Sequence, residues 1–317
     1  MLFDIGIQRE KMHFLSITDL KAKEIMELVK KGIEAKKRPS KYDNALKNKN
    51  LLILFEMPSL RTRLSFEVAM NQMGGHAVYY SISESTIGKK ESIADFARVV
   101  SRYCDALTAR IHSQKTLEKI AENSSIPVIN ALTSFEHPCQ VLADFMTIYE
   151  KKRKLEGLKL AFVGDGNNNV THSLLYGASL IGMDISVACP AGKTFSPQEK
   201  VVKEARAFAK RSGSKIEILR NPAQAVKGAD AVYTDTWMSY RIPAKEKKNR
   251  LKAFRPFQVN KKLMGKAKKN ALFMHCLPAS RGYEITDEVI DSRQSVVLDE
   301  AENRLHVQKA LLFKLIK

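Results

Sequence analysis

From Leu51 onward this 317-residue sequence alternates short apolar runs with longer amphipathic stretches, a rhythm that few folds accommodate. LLIL (Leu51–Leu54), His76–Tyr80, ALTARI with Arg110 at its end, and IPVINA (Ile126–Ala131) have the length of buried strands. Each leads into a stretch with helical spacing. After a basic, polar segment at Lys151–Gly157 the rhythm restarts with LKLAFVGDGNNNVTHSLLYGASLIG (Leu158–Gly182), then DISVACP, IEIL, AVYTD and ALFMHCLP. Strands separated by helices join through crossovers, and crossovers make parallel sheets. The expected fold class is α/β: two Rossmann-like α/β domains with parallel sheets and an active site in the cleft between them. Ser295–His306 (SVVLDEAENRLH) predicts a last strand ahead of a final helix over Val307–Ile316. Gly164-Asp165-Gly166 lacks the third glycine of GxGxxG, and no acidic residue cleanly ends DISVACP. This predicts Rossmann-like topology without a nucleotide site.

The stretch richest in chemistry is Phe55–Gly75, FEMPSLRTRLSFEVAMNQMGG. It follows the first strand and opens a helix at Ser59-Leu60-Arg61-Thr62-Arg63. A helix N-terminus offers free N–H groups and a positive dipole end, and arginine adds a fork suited to phosphate. Alone, the same residues also fit a capped surface helix. Arg110 ends a strand, where open α/β sheets bind ligands. His137-Pro138-Cys139-Gln140 opens another helix, and a neutral histidine there can polarise a carbonyl, although an isolated His-Pro pair also fits plain capping. The second half adds the asparagine run, Asp235, Ser239 and His275-Cys276-Leu277-Pro278. Together these suit transfer of an acyl-type group from a phosphate-bearing donor to an amine.

Four scattered cysteines without a CxxC pair point to free thiols in a reducing compartment and away from a zinc site. Neither a membrane-length apolar run nor a secretory layout is present, so the expected location is the cytoplasm, with no membrane partner. The formal charge of +19 opens a second class, nucleic-acid binding. Its lysine-rich stretches (Lys36–Lys49, Lys245–Lys252, Lys261–Lys269) lack the interleaved aromatics of a strand-binding surface, which favours steering of an anionic substrate and no nucleic-acid partner.

Phe55–Gly75, His137–Gln140, Gly164–Ser173, Asp235–Ser239, His275–Pro278 and Asp299–His306 resemble, in order, the motif set of the transcarbamylases, the aspartate/ornithine carbamoyltransferase family. HCLP resembles the ornithine-type members, since the aspartate type has proline where Cys276 stands. The resemblance implies a carbamoyl phosphate-binding domain at residues 1–150, completed by the C-terminal helix (303–317), and an amino acid-binding domain at 151–302. It implies that Ser59, Leu60, Arg61 and Thr62 hold the phosphate, and that Arg110, His137 and Gln140 polarise the carbamoyl group. Cys276, Leu277 and Arg304 would complete the donor site, and Arg110, His137 and Cys276 would be the catalytic set. Asn169, Asp235, Ser239 and Tyr240 would bind L-ornithine. The implied reaction is direct attack of the δ-amine on carbamoyl phosphate, giving citrulline in arginine metabolism, with no metal or cofactor and in a homotrimer or multiple of trimers. A nucleophilic role for Cys276 is disfavoured because the donor is already activated.

Three positions depart from the family pattern. Leu60 replaces the threonine of Ser-Thr-Arg-Thr. Thr86 stands where the family places glutamine or histidine, so a contact across the subunit interface would be weaker or would pass to Lys89 or Lys90. Ser239-Tyr240-Arg241 replaces Ser-Met-Gly, which keeps open another amine acceptor: putrescine, lysine or a modified ornithine.

Overall fold

The computed structural model of the chain describes residues 13–82, 90–239 and 242–317. Its first sheet contains β1 (Asn50–Phe55), β2 (His76–Ser81), β3 (Ala106–Arg110) and β4 (Val128–Leu132), all parallel, in the order β2-β1-β3-β4. The second contains β5 (Lys159–Val163), β6 (Asp184–Ala188), β7 (Ile216–Leu219), β8 (Ala231–Tyr233) and β9 (Leu272–Met274), in the order β7-β6-β5-β8-β9. The expected α/β class with two parallel sheets is what forms.

Around the first sheet lie α1 (Ala22–Lys37), α2 (Leu60–Gln72), α3 (Ile93–Tyr103), α4 (Gln114–Glu122) and α5 (Pro138–Lys152). Around the second lie α6 (Asn169–Leu180), α7 (Glu199–Ser212), α8 (Pro222–Val226), α9 (Lys247–Phe254), α10 (Lys261–Met264) and α11 (Asp287–Ile290). The chain ends in α12 (Val297–Ile316). After Asn50, β1 is apolar because it is covered on both faces: Leu51 to Phe55 are all buried. α7 buries Val201, Ala205 and Ala209 at four-residue spacing and stops at Gly213, whose φ of +81° favours glycine. No helix among the described residues is long and apolar enough to cross a membrane.

α12 corrects the expected strand at Ser295–His306. Its buried face includes Val297, Glu300, Asn303, Arg304, Val307, Gln308 and Leu311, spaced as a helix requires. Four of these are polar, so the apolar periodicity that would reveal a helix is interrupted by the residues that the interior uses. α12 packs against α1, α2 and α5. The larger core runs from Ile53 and Ile129 through Phe145 of α5 to Phe162 and Tyr233, joining the two sheets through one apolar interior.

Strand order fixes where the cleft lies. In each sheet the connections leave to opposite sides of one strand pair: β1 and β3 in the first, β5 and β8 in the second. Crevices open beyond the carboxyl ends of such pairs. Met57–Thr62, Arg110 with His112, Asn168–Val170, and Asp235 with Ser239 end or follow those strands and line one cleft.

Candidate active site

The cleft encloses about 620 Å³. One wall is the start of α2. Ser59 caps it, its Oγ accepting from the Thr62 N–H (3.4 Å) and donating to Thr62 Oγ1 (3.1 Å). The Leu60 side chain is 70% exposed, so this position offers the cleft mainly its first-turn backbone, where N–H groups have no intrahelical partner. Arg110, at the end of β3, is buried and lines the same cavity.

His137 caps α5, with Pro138 at the first helical position and the His137 N–H donating to Ser173 Oγ (2.9 Å). Its Nε2 is 3.5 Å from Arg304 Nη1, and the Arg110 charge also acts on the ring electrostatically. Burial first, then Arg304 and Arg110, hold its pKa well below the ordinary histidine value. The ring is neutral, and Nε2 facing an arginine donor assigns the proton to Nδ1, which has no partner among the described residues.

Asp235 dominates the opposite wall. Its Oδ2 accepts from Asn168 Nδ2 (2.7 Å), and Oδ1 accepts from the Thr236 N–H (2.8 Å) and the Cys276 thiol (3.2 Å). Asn169 reaches across the cleft to donate to the Thr133 carbonyl (2.7 Å). Ser239 lines the cavity with an enclosed Oγ that has no partner among the described residues. Burial and Asp235 push the Cys276 thiol well above its ordinary pKa, so it is protonated and a poor nucleophile. Leu277 has a φ of 57°, in the left-handed region, and its N–H donates to His275 Nδ1 (2.9 Å). Asp235, His275 and Cys276 bring three possible metal-ligand atoms within 4.8 Å of one another. The Cys276 thiol, however, already donates to Asp235, and both His275 nitrogens face partners, Leu277 N–H and Glu284.

Of the residues singled out in the sequence, Ser59, Leu60, Arg61, Thr62, Arg110, His137, Asn169, Asp235, Ser239, Cys276, Leu277 and Arg304 all line this cleft. Gln140 does not: it stands a layer behind, where its Oε1 accepts from Arg304 Nη1 (2.7 Å). Tyr240, Arg241, Thr86 and Lys89 lie outside the described residues, and Lys90 is exposed. Sequence reasoning missed His112, Thr133 and Ser134, and took Asn168 only as part of an asparagine run. The available signal for Asn168 was its position ahead of α6, where asparagine is a preferred cap.

Beside the cleft, buried Glu136 accepts from Ser173 Oγ (3.0 Å) and the Ile17 N–H (3.3 Å), and burial pushes its carboxyl up to about 7. The folded chain binds this proton more tightly than the unfolded chain, where a glutamate titrates near ~4.3. Its contribution to stability therefore falls as pH rises between those values. In thermal melts, Glu136→Gln should flatten the fall in Tm between about pH 5 and 7; an unchanged slope would reject this assignment.

Two family models cover the chain. "Aspartate/ornithine carbamoyltransferase, carbamoyl-P binding domain" matches residues 12–150, and "Aspartate/ornithine carbamoyltransferase, Asp/Orn binding domain" matches residues 156–315. The ornithine carbamoyltransferase of Methanosarcina acetivorans is 50% identical over 309 residues, spanning 97% of this chain and 100% of the relative. That of Pyrococcus abyssi is 53% identical over 271 residues, 86% of this chain and 84% of the relative. The solved ornithine carbamoyltransferase from Pyrococcus furiosus superposes with a TM-score of 0.91 at 48% identity, covering 95% of this chain and 96% of that one.

Proposed function

The chain belongs to the aspartate/ornithine carbamoyltransferase family, and on that premise we propose that it transfers the carbamoyl group of carbamoyl phosphate to the δ-amine of L-ornithine, giving citrulline and phosphate. The observation that carries the reading is one cleft with a cationic, N–H-rich wall (Ser59–Thr62, Arg110, Arg304) opposite a wall built on Asp235 and Asn168. Citrulline formation belongs to arginine metabolism, and the relative named anabolic in Pyrococcus furiosus, 49% identical over 300 residues, supports a biosynthetic role. Ornithine is favoured over putrescine, lysine or a modified ornithine because relatives of about half identity, matched over most of the chain, carry the ornithine name.

In the proposed mechanism the α2 N-terminus, Arg61 and Thr62 hold the phosphate, while Arg110 and neutral His137 donate to the carbamoyl oxygen. Asp235, Asn169 and Ser239 take the amino acid's charged end, which leaves its δ-amine near the carbonyl carbon. The neutral amine attacks, the C–N bond forms, and the C–O bond to phosphate breaks. The amine's proton leaves with the phosphate, and the His137 donor follows the oxygen as negative charge grows there. No covalent enzyme intermediate is required, in keeping with a protonated Cys276.

The same reading divides the chain into a donor domain (residues 1–150 with 303–317, most of α12) and an acceptor domain (151–302), and makes it a cytoplasmic homotrimer or multiple of trimers. Contact of α12 with α1, α2 and α5 supports the division. The test is phosphate and citrulline formation from carbamoyl phosphate against ornithine, lysine, putrescine, acylated ornithine and aspartate. Ornithine should be preferred over putrescine by about 10⁴-fold, the discrimination expected of a site whose buried polar groups are left unpaired by an analogue. Equal or better turnover of putrescine would overturn the acceptor assignment.

A further inference from the structure

Behind the cationic wall lies a buried polar cluster that the mechanism above does not use. Gln140 donates through Nε2 to Asp144 Oδ1 (2.9 Å) and to Glu300 Oε1 (3.1 Å), while its Oε1 accepts from Arg304 Nη1 (2.7 Å). Tyr233 donates to Glu300 Oε1 (3.0 Å), and the His275 N–H donates to Glu300 Oε2 (3.1 Å). Asp144, Gln140, Glu300, Arg304 and Tyr233 are all at most 3% exposed. They come from α5, α12 and β8, with His275 just beyond β9.

An amide has one donating and one accepting end. Two carboxylates on one side and a guanidinium on the other leave it a single satisfied orientation. Turned by half a rotation, its carbonyl would face carboxylate oxygens and its NH₂ would face the arginine's donors. We propose that Asp144 and Glu300 are positioning residues: they fix the Gln140 amide so that its carbonyl aims the Arg304 guanidinium at His137 and the donor half of the cleft. The proposal rests on the reading of that half as the carbamoyl phosphate site. Arg304 Nη2 also reaches Thr62 Oγ1 (3.4 Å), so its aim bears on two cleft residues at once. Burial pushes both carboxyls up, Asp144 to about 7 and Glu300 well above the usual range, so the pair retains a proton and leaves one negative charge to balance the buried arginine.

The test removes one of the acceptors that orient the amide. Asp144→Leu takes away the carboxylate oxygen that Gln140 Nε2 meets, which lets the amide turn and costs Arg304 Nη1 its acceptor. The KM for carbamoyl phosphate should rise about 10–100-fold, the equivalent of one charge-assisted hydrogen bond, with the KM for ornithine little changed. Adding Gln140→Glu gives Arg304 an acceptor whichever way that side chain turns, at the same total charge as the wild type. The double variant should recover most of the donor affinity. A general packing defect would instead make the double variant at least as poor as the single ones. An unchanged donor KM in Asp144→Leu, or no recovery in the double variant, would overturn the proposal. Should Asp144→Leu not fold, Glu300→Met reads the same displacement. Donor affinity measured in parallel as the rise in Tm with carbamoyl phosphate keeps this result separate from whether citrulline is made.

Discussion

His137→Ala is expected to lower kcat about 100- to 1000-fold, the loss that accompanies removal of one donor aimed at a developing oxyanion. Buried at the start of α5 and acted on by the Arg304 and Arg110 charges, this imidazole is kept from taking a charge and has its Nδ1 proton uncommitted among the described residues. Such a group contributes little to a neutral carbonyl and more as the oxygen gains charge, so the loss belongs in kcat and not in substrate binding. His137→Asn, which restores a neutral donor, should recover part of the rate. Because the ring is neutral well below its ordinary range, the wild-type rate should show no acid limb near ~6.5. It should instead climb with pH as the substrate amine, titrating near ~10 like a lysine, loses its proton. Steady-state citrulline formation between about pH 5.5 and 9.5, a range that brackets the ordinary histidine value, decides this. A limb near ~6.5 that disappears in His137→Asn would mean that histidine titrates during turnover.

Arg250→Met should destabilise the fold by about 3–5 kcal/mol, the cost of stranding one member of a buried ion pair. Arg250 and Asp165 are 2% and 4% exposed and directly hydrogen-bonded, and Arg250 Nε also donates to the Trp237 carbonyl (2.9 Å). Its guanidinium stacks near Phe254 and Phe195, with Cζ 5.0 and 5.4 Å from the ring centroids. Arg250 thus joins the loop after β5 to the segment that delivers Asp235 and Ser239. Asp165→Asn should cost less, because a neutral amide still fills the site, and Arg250→Met with Asp165→Leu should cost less than the two single losses added together. Urea unfolding of these variants beside the wild type and Asp165→Leu is the check. Strict additivity would show that the pair is not coupled.

The chemistry of the cleft was legible because its residues come in local clusters with a physical signature. Ser59–Thr62 follows a strand and opens a helix, His137 precedes a proline at a helix start, and Arg110 and Asp235 end or follow apolar runs. The support behind the cleft was not. Asp144 stands one helical turn after Gln140, and Glu300 one turn before Arg304, yet each pair looks like ordinary helix-surface spacing until α5 and α12 are seen to bury the same face. The depth of Gln140 is of the same kind: its neighbours along the chain are plain to read, but its contacts with Arg304, Asp144 and Glu300 are not. The pair of glycines at 164 and 166 shows the converse. They look like part of a phosphate loop, but a Cβ on Gly166 would lie 2.7 Å from the Phe195 carbonyl, so that glycine serves close packing of the chain.

The order of apolar runs and helices by itself determined the α/β class and the parallel sheets, because each of those depends on spacing along the chain. Only the tertiary structure decided that Ser295–His306 is part of a helix, that Asp144 and Glu300 meet, and that Arg304 reaches His137 from 167 residues away. Those outcomes depend on which polar groups must find partners once water is excluded. A buried carboxylate or guanidinium is satisfied by whatever lies across the interface, and spacing along the chain does not encode that partner.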